Sequence, residues 1–299
     1  MRNLPNTTTS LNVVFTIDER FVQHLTVTLV SLLENNKDIS VEAYIIHDIE
    51  DLLVLNKISS FFKEKYDLDL KLIKLDNSVF DNYRISLHYS KAVYFRLLIT
   101  EILPKTVNKA LFLDADVIVA GSLKELAEFE FSDTEYLLAV DDVETKTHVP
   151  RLNAMGFPLT GYFNAGVLLI NVKAWRDNGL SGKFIALADK YMDQLDWWDQ
   201  DILNMYFYDT WQPMDAKFNA LHLRKKLPVT PVVIHYAGTS KPWLYVHQHP
   251  YKQLYWDYIK LTPFKDYAYP DFSFKEWLRK YYIAVLNVLK LRQPPLFKD

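Results

Sequence analysis

The sequence predicts an α/β fold: a mostly parallel, mixed sheet with helices on both faces and a small helical extension at the C-terminus. Two observations carry this expectation. Short apolar runs alternate with longer stretches at helical spacing through the first half of the chain, the pattern of strands joined by crossover helices. A pair of aspartates then follows one such run directly, at the kind of strand end where open α/β sheets bind ligands.

Taken in order, residues 11–17 read as a buried strand and 21–33 as a helix. Residues 41–47 read as a strand, 52–65 as a helix and 69–75 as a strand. Apolar residues recur at helical spacing over 89–102, and Pro104 marks the end of that helix. Residues 110–113 form a fourth apolar run. Beyond Asp116 the pattern mixes: 136–140, 166–171 and 232–235 read as strands, 181–192 and 199–208 as helices. Residues 241–271 read as loops with short helices, and 274–291 as a closing amphipathic helix. The stretch 143–162, with His148, Pro150, Gly156 and Pro158, is expected to be a mobile loop that closes over a bound ligand.

Composition narrows the chemistry. There is no cysteine, which excludes disulfides, thiolate catalysis and iron–sulfur clusters. A net charge of −3 gives no support for nucleic-acid binding. The first residues are polar and lack the apolar core of a signal peptide. No apolar stretch approaches the ~18 residues of a membrane span, so a cytoplasmic location is expected. Aromatic residues reach 15%, suited to sugar and nucleobase faces but equally to core packing.

The segment Leu111-Phe-Leu-Asp-Ala-Asp-Val-Ile-Val119 carries the sharpest signal. In extended backbone, Asp114 and Asp116 would share one side of the chain. Two carboxylates so placed repel unless a cation lies between them, and oxygen donors suit Mg²⁺ or Mn²⁺. The alternative is a solvated turn after a strand. In the segment 234–243, His235 stands at a strand end, followed by Gly238 and Lys241. A neutral imidazole there would complete a metal site, Gly238 would let backbone approach a phosphate, and Lys241 would neutralise it. The alternative is a buried histidine ahead of an ordinary turn. Asp142 ends another strand and is a candidate for binding donor or acceptor. Asp199 and Asp201 are candidate carboxylates, or simple helix caps.

Six segments in order resemble the family 8 retaining glycosyltransferases, a group that includes lipooligosaccharide galactosyltransferases, lipopolysaccharide hexosyltransferases and glycogenin. They are Val14-Phe-Thr-Ile-Asp-Glu-Arg-Phe21, Ser90-Lys-Ala-Val-Tyr-Phe-Arg-Leu97, Leu113-Asp-Ala-Asp-Val117, Phe163-Asn-Ala-Gly-Val-Leu-Leu-Ile-Asn171 with Trp175, Asp199-Gln-Asp-Ile-Leu-Asn204, and His235 with Lys241-Pro-Trp243. The resemblance implies a GT-A-type nucleotide-sugar domain over 1–245, an aromatic and basic extension over 246–299, and UDP-galactose or UDP-glucose as donor. It implies that Thr16, Ile17 and Asp18 line the uracil and ribose, with Arg20 where close relatives often carry Asn. It implies Asp114, Asp116 and His235 as ligands of Mn²⁺ or Mg²⁺, with Ala115 near the ribose. Arg96 would hold the sugar or the acidic cluster, Asn164 and Ala165 the sugar hydroxyls, and Gly238 and Lys241 the diphosphate. Gln200 would occupy the sugar's far face; an amide is a poor nucleophile, which favours same-face transfer, with Asp201 as the carboxylate alternative.

In the last helix, Phe274, Trp277, Leu278, Tyr281, Val285, Val288 and Leu289 share one face, surrounded by Lys275, Arg279, Lys280, Lys290, Arg292 and Lys298. Such a helix lies in a membrane interface or docks on the catalytic domain. The resemblance favours peripheral attachment to the inner membrane face, where a lipid-borne acceptor would be presented. The leading expectation is therefore a hexosyltransferase acting on a lipopolysaccharide or lipooligosaccharide core. The competing readings are transfer to a protein or other surface glycan, a non-catalytic sugar-nucleotide binder, and a metal-dependent phosphohydrolase.

Overall fold

A computed structural model describes residues 9–84, 90–142, 146–239 and 241–288. Its strands are β1 (Ser10–Ile17), β2 (Ser40–His47), β3 (Lys71–Lys74), β4 (Ala110–Leu113), β5 (Val117–Val119), β6 (Leu137–Asp141), β7 (Phe163–Ile170), β8 (Gln212–Pro213) and β9 (Val233–His235). The helices that matter below are α1 (Val22–Asn35), α2 (Leu53–Tyr66), α3 (Ile99–Ile102), α4 (Lys124–Glu128), α5 (His148–Ala154), α6 (Val172–Asp177), α7 (Leu180–Tyr191), α8 (Trp198–Tyr206), α9 (Lys252–Ile259) and α10 (Phe274–Val288).

The main sheet runs β3-β2-β1-β4-β7-β6-β8. β3, β2, β1 and β4 are parallel, and β6 is parallel to β8. β7 runs against both of its neighbours. β5 and β9 pair separately as an antiparallel ribbon. This is the mostly parallel α/β plan expected from the alternation of apolar runs.

Both faces of the sheet's central strands are buried, and β4 and β7 show it residue by residue. Val13, Phe15, Leu111 and Leu113 point into one core, with α1 and α2 residues such as Leu25, Leu29 and Ile58. Val14, Phe112, Leu168 and Ile170 point into the other, with Trp175, Phe184 and Ile202 of α6, α7 and α8. Strands covered on both faces read as continuous apolar runs rather than alternating ones, which is why periodicity found them.

Three expectations change. Residues 91–98 form a 3₁₀ run, Lys91–Leu98, continued by α3, rather than one α-helix from 89; residue 89 lies outside the described residues. Ala92, Tyr94, Phe95, Arg96 and Leu97 are all buried there, so packing on several sides, not one amphipathic stripe, shapes the segment. The stretch expected as a mobile loop contains α5, whose Leu152 is buried; residues 143–145 lie outside the described part. Arg151 ties α5 to Asp201 at 2.6 Å and to the Gln194 carbonyl at 2.6 Å, so this segment is anchored. Third, Asp114 and Asp116 sit in a turn between β4 and β5, not on extended backbone.

The segment after 245 packs on the body. Tyr251, Tyr255 and Ile259 share a buried cluster with Val27, Ile118, Ile234 and Trp243, so a division at 245 falls inside continuous packing. Within that cluster His24 stacks on Trp243, 3.5 Å between ring centroids, and meets the Tyr255 hydroxyl at 2.8 Å. Burial pushes its pKa down to about 3, so it packs as a neutral ring. α10 differs: Phe274, Trp277, Leu278, Tyr281 and Val285 are exposed. Side chains at 287 and 288 and all of Leu289, Lys290, Arg292 and Lys298 lie outside what is described.

Candidate active site

Parallel pairing of β1 with β4 places Thr16, Ile17 and Asp18 beside the turn that carries Asp114 and Asp116. α1 then grips that turn through buried polar side chains. The Thr28 hydroxyl lies 2.9 Å from the Ala115 carbonyl and 2.7 Å from that of Val117. Val119 N donates to Ser31 Oγ at 3.0 Å, and Leu123 N to Asn36 Oδ1 at 2.6 Å. The turn's backbone groups are thus satisfied by protein rather than by water, which fixes its shape.

β7, antiparallel to β4, delivers Asn164, Ala165 and Gly166 to the same place; Asp114 N donates to the Gly166 carbonyl at 2.7 Å. β9 pairs with β5 and ends at His235, opposite Val117. α8 supplies Asp199 and Gln200, and it is pinned to β7 by a two-way amide bracket. Asn204 accepts from Phe163 N and donates to Phe163 O, both at 2.9 Å. Trp198, at the start of α8, holds φ at +32°, a left-handed conformation that costs a bulky side chain on the order of 1–3 kcal/mol.

Asp114, Asp116 and His235 each offer a ligand atom, all within 4.8 Å of one another. His235 Nε2 lies 3.3 Å from Asp116 and 3.9 Å from Asp114. The space they face depends on Gly166: a Cβ added there would lie 2.3 Å from His235 Cε1 and 2.6 Å from Asp114 Oδ2. Two carboxylates and an imidazole, converging over a glycine, fit a divalent cation. Gly166→Ala should therefore displace two ligand side chains. We expect about a hundredfold loss of activity and roughly 1–3 kcal/mol of stability, read by steady-state rates and thermal unfolding. Wild-type rates in that variant would show that the cradle is not used.

Cations balance the acid cluster. Arg96 is buried and bridges Asp114 and Asp199, 2.8 Å to each, while donating to the Ala165 carbonyl at 2.5 Å. Lys241 pairs with Asp116 and donates to the Tyr236 carbonyl at 2.8 Å. Burial pushes Asp116 up, but Lys241 and His235 outweigh it and hold its carboxyl far below the usual range. Asp199 goes the other way: burial, opposed by Arg96 and reinforced by Asp114, pushes it up to about 7.

Gln200 Oε1 accepts from Ala165 N at 2.9 Å and Asn164 Nδ2 at 3.1 Å. Asp142 is buried, 3.4 Å from Asn164 Nδ2 and 3.1 Å from His222 Nε2. Asp201 does not join the group. Its oxygens accept from Tyr162 Oη at 2.7 Å, Arg151 at 2.6 Å, and the backbone N–H groups of Asp196 and Trp197 at 2.9 and 3.1 Å. Fully buried and so engaged, it ties the residues before α8 to the first turn of that helix, whose N-cap is Trp197 with no side-chain cap bond. Asp18 caps the short turn Glu19–Phe21, and its carboxylate receives Arg20 at 2.7 Å. Gly238 takes φ of +70°, the left-handed region a glycine tolerates.

Sequence reasoning missed Asn219, buried between Asn164 and His235 at 2.9 Å from each. A lone Asn in a segment without periodicity carries no signal. It also missed His222, at φ +50°. His222 and Asp142 line a cleft of about 350 Å³ with Leu223, Leu227 and Val229.

The family model described as Glycosyl transferase family 8 matches residues 12–247. Lipopolysaccharide 1,2-glucosyltransferase of Escherichia coli is 30% identical over 250 residues, 78% of this chain and 73% of that protein. General stress protein A of Bacillus subtilis is 26% identical over 286 residues, 87% of this chain and 96% of that protein. The crystal structure of the galactosyltransferase LgtC with donor and acceptor sugar analogues superposes with a TM-score of 0.76 at 23% identity, over 90% of this chain and all of that one. That likeness shows the fold.

Proposed function

The chain belongs to glycosyl transferase family 8 and, on that premise, we propose that it transfers galactose or glucose from a UDP-sugar, with retention, to a carbohydrate acceptor of the lipopolysaccharide-core class. The observation that carries the reading is the convergence of Asp114, Asp116 and His235 over Gly166, with Gln200 held beside Asn164 and Ala165. The acceptor class is supported by the E. coli relative, whose name is that of a lipopolysaccharide glucosyltransferase.

In this reading Asp114, Asp116 and His235 would hold Mn²⁺ or Mg²⁺, which would supply positive charge against the departing diphosphate. Lys241 adds a second cation, and Gly238 lets the backbone approach the phosphates. Thr16, Ile17, Asp18, Arg20 and Ala115 lie along the nucleoside. Asn164, Ala165 and Asp142 meet the sugar hydroxyls, and Arg96 with Asp199 sets the geometry of Asp114. Among the described residues, none of the three candidate nucleophiles is free. Both lone pairs of Gln200 Oε1 are engaged, Asp199 is paired with Arg96, and Asp201 is caged. Attack by the acceptor on the face that the diphosphate leaves accounts for retention without a covalent intermediate. The cleft beside Asp142 and His222 supports an acceptor site next to the sugar.

Calorimetric titration with UDP, with and without Mn²⁺, followed by a panel of UDP-sugars, tests the assignment. Metal-dependent binding of UDP and hydrolysis of UDP-galactose or UDP-glucose are expected. Absence of binding under any condition would leave the fold without this function.

No helix among the described residues is long and apolar enough to cross a membrane. In α10, however, Phe274, Trp277 and Tyr281 stack in series while being 72%, 43% and 67% exposed. Aromatic rings beside Lys275 and Arg279 suit the headgroup boundary. The full chain should therefore sediment with phosphatidylglycerol vesicles. The double substitution Trp277→Glu, Tyr281→Glu should stay in solution while hydrolysing UDP-sugar at the original rate. A wild-type chain that ignores the vesicles would refute the peripheral reading.

A further inference from the structure

We infer that Asn219 is a positioning residue: its one amide sets both the metal-facing nitrogen of His235 and the orientation of Asn164, and so ties the metal group to the sugar pocket. The direction of each hydrogen bond follows from two backbone N–H groups, which can only donate. Gly166 N donates to the end of the Asn164 side chain at 3.0 Å, so that atom is Oδ1. The other end, Nδ2, lies 3.1 Å from a Gln200 atom that also receives Ala165 N at 2.9 Å and is therefore Oε1. Since Asn164 Oδ1 accepts, the Asn219 atom 2.9 Å from it must be the donor, Nδ2.

Asn219 Oδ1 is then left facing His235 Nδ1 at 2.9 Å, so Nδ1 carries the proton. The ring nitrogen left turned toward the candidate metal group is Nε2, the atom that lies 3.3 Å from Asp116. Reversing any one amide sets two donors or two acceptors against each other. Asn219 is 1% exposed and Asn164 8%, so water has little access to relieve the mismatch. The ring orientation a metal ligand requires is thus set from β7, through a residue outside the group of candidate ligands. The same bridge means that moving Asn164 to meet a sugar pulls on the histidine, and the reverse.

The two functions of the amide separate by substitution. Asn219→Asp keeps an acceptor for Nδ1–H but sets oxygen against Asn164 Oδ1; Asn219→Ala removes both contacts. The probe is Mn²⁺ in the presence of UDP, followed by the spectroscopic signal of the free ion, alongside kcat and KM for UDP-sugar hydrolysis. We expect Asn219→Ala to weaken Mn²⁺ binding by about 10- to 100-fold, as loss of a partner behind a ligating histidine does. We expect Asn219→Asp to hold Mn²⁺ as the original protein does, while its kcat/KM falls on the order of tenfold or more.

Unchanged Mn²⁺ affinity in Asn219→Ala would overturn the inference, as would an Asn219→Asp variant that loses the metal as severely as the alanine. If the alanine variant does not fold, the aspartate variant decides alone: retained metal with impaired hydrolysis supports the bridge, lost metal overturns it. The inference rests on the metal assignment above. That assignment fails separately, if the unaltered protein with UDP binds no Mn²⁺.

Discussion

Asp116→Asn should abolish metal-dependent binding of UDP and lower the rate of transfer by about three orders of magnitude, the equivalent of the several kcal/mol a bound cation supplies. The substitution keeps the shape of the side chain but removes the charge on which Lys241 and His235 converge. In the native arrangement one Asp116 oxygen pairs with Lys241 and the other faces His235 Nε2 at 3.3 Å. An amide would offer one weaker acceptor and turn a donor toward either an ammonium or a metal. The measurement is calorimetry with UDP, with and without Mn²⁺, with thermal unfolding as the check that the variant is folded. A folded variant that retains metal-dependent affinity would show that Asp116 is not a ligand.

Arg96→Met should cost stability rather than only rate. The guanidinium is 6% exposed, bridges Asp114 and Asp199, and lies 4.3 Å over the Phe112 ring. Methionine fills part of that volume but leaves two carboxylates without their shared cation. Removing one partner of a buried ion pair costs about 3–5 kcal/mol, which in a chain of this size lowers the melting temperature by roughly 6–20 °C.

The deficit should depend on pH in a stated direction. Burial has already pushed the Asp199 carboxyl up to about 7, with Arg96 pulling it down; removing Arg96 raises it further. Its folded pKa then lies above its unfolded one, so the native state keeps the proton more readily. Relative to wild type, the deficit sets in as pH rises past about 7, where the wild-type carboxyl ionises in the folded state, and is complete at the variant's higher pKa. Unfolding curves at pH 6 and pH 9, either side of that value of about 7, should show the larger deficit at the higher pH. Equal deficits, or none, would place the pair outside the stabilising network.

The alternation of apolar runs was enough to foresee the parallel sheet, because β1, β2 and β4 are buried on both faces and carry little else. The aspartates and His235 were legible as chemistry for a related reason. Carboxylates inserted between two apolar runs, and an imidazole ending a third, carry a desolvation cost that packing alone does not repay. Their order along the chain then matched a family in six segments. What α1 does was less visible. Thr26, Thr28 and Ser31 lie among its apolar residues and are buried, because Thr28 and Ser31 reach carbonyl and amide groups of a turn some 85 to 90 residues away.

The sequence by itself thus determined the fold class, the metal-competent residue types and the family, since each is written in local order: periodicity, spacing and motif. The tertiary structure alone decided which of two neighbouring carboxylates faces the site. Asp199 and Asp201 differ in sequence only by position, yet Asp199 meets Arg96 and Asp201 is enclosed by Tyr162, Arg151 and two backbone amides. It also decided that Gly166 lies under Asp114 and His235, with Asn219 behind that histidine. Both depend on contacts between strands far apart in the chain, and hydrogen-bond direction at a buried amide is fixed only once every neighbour is in place.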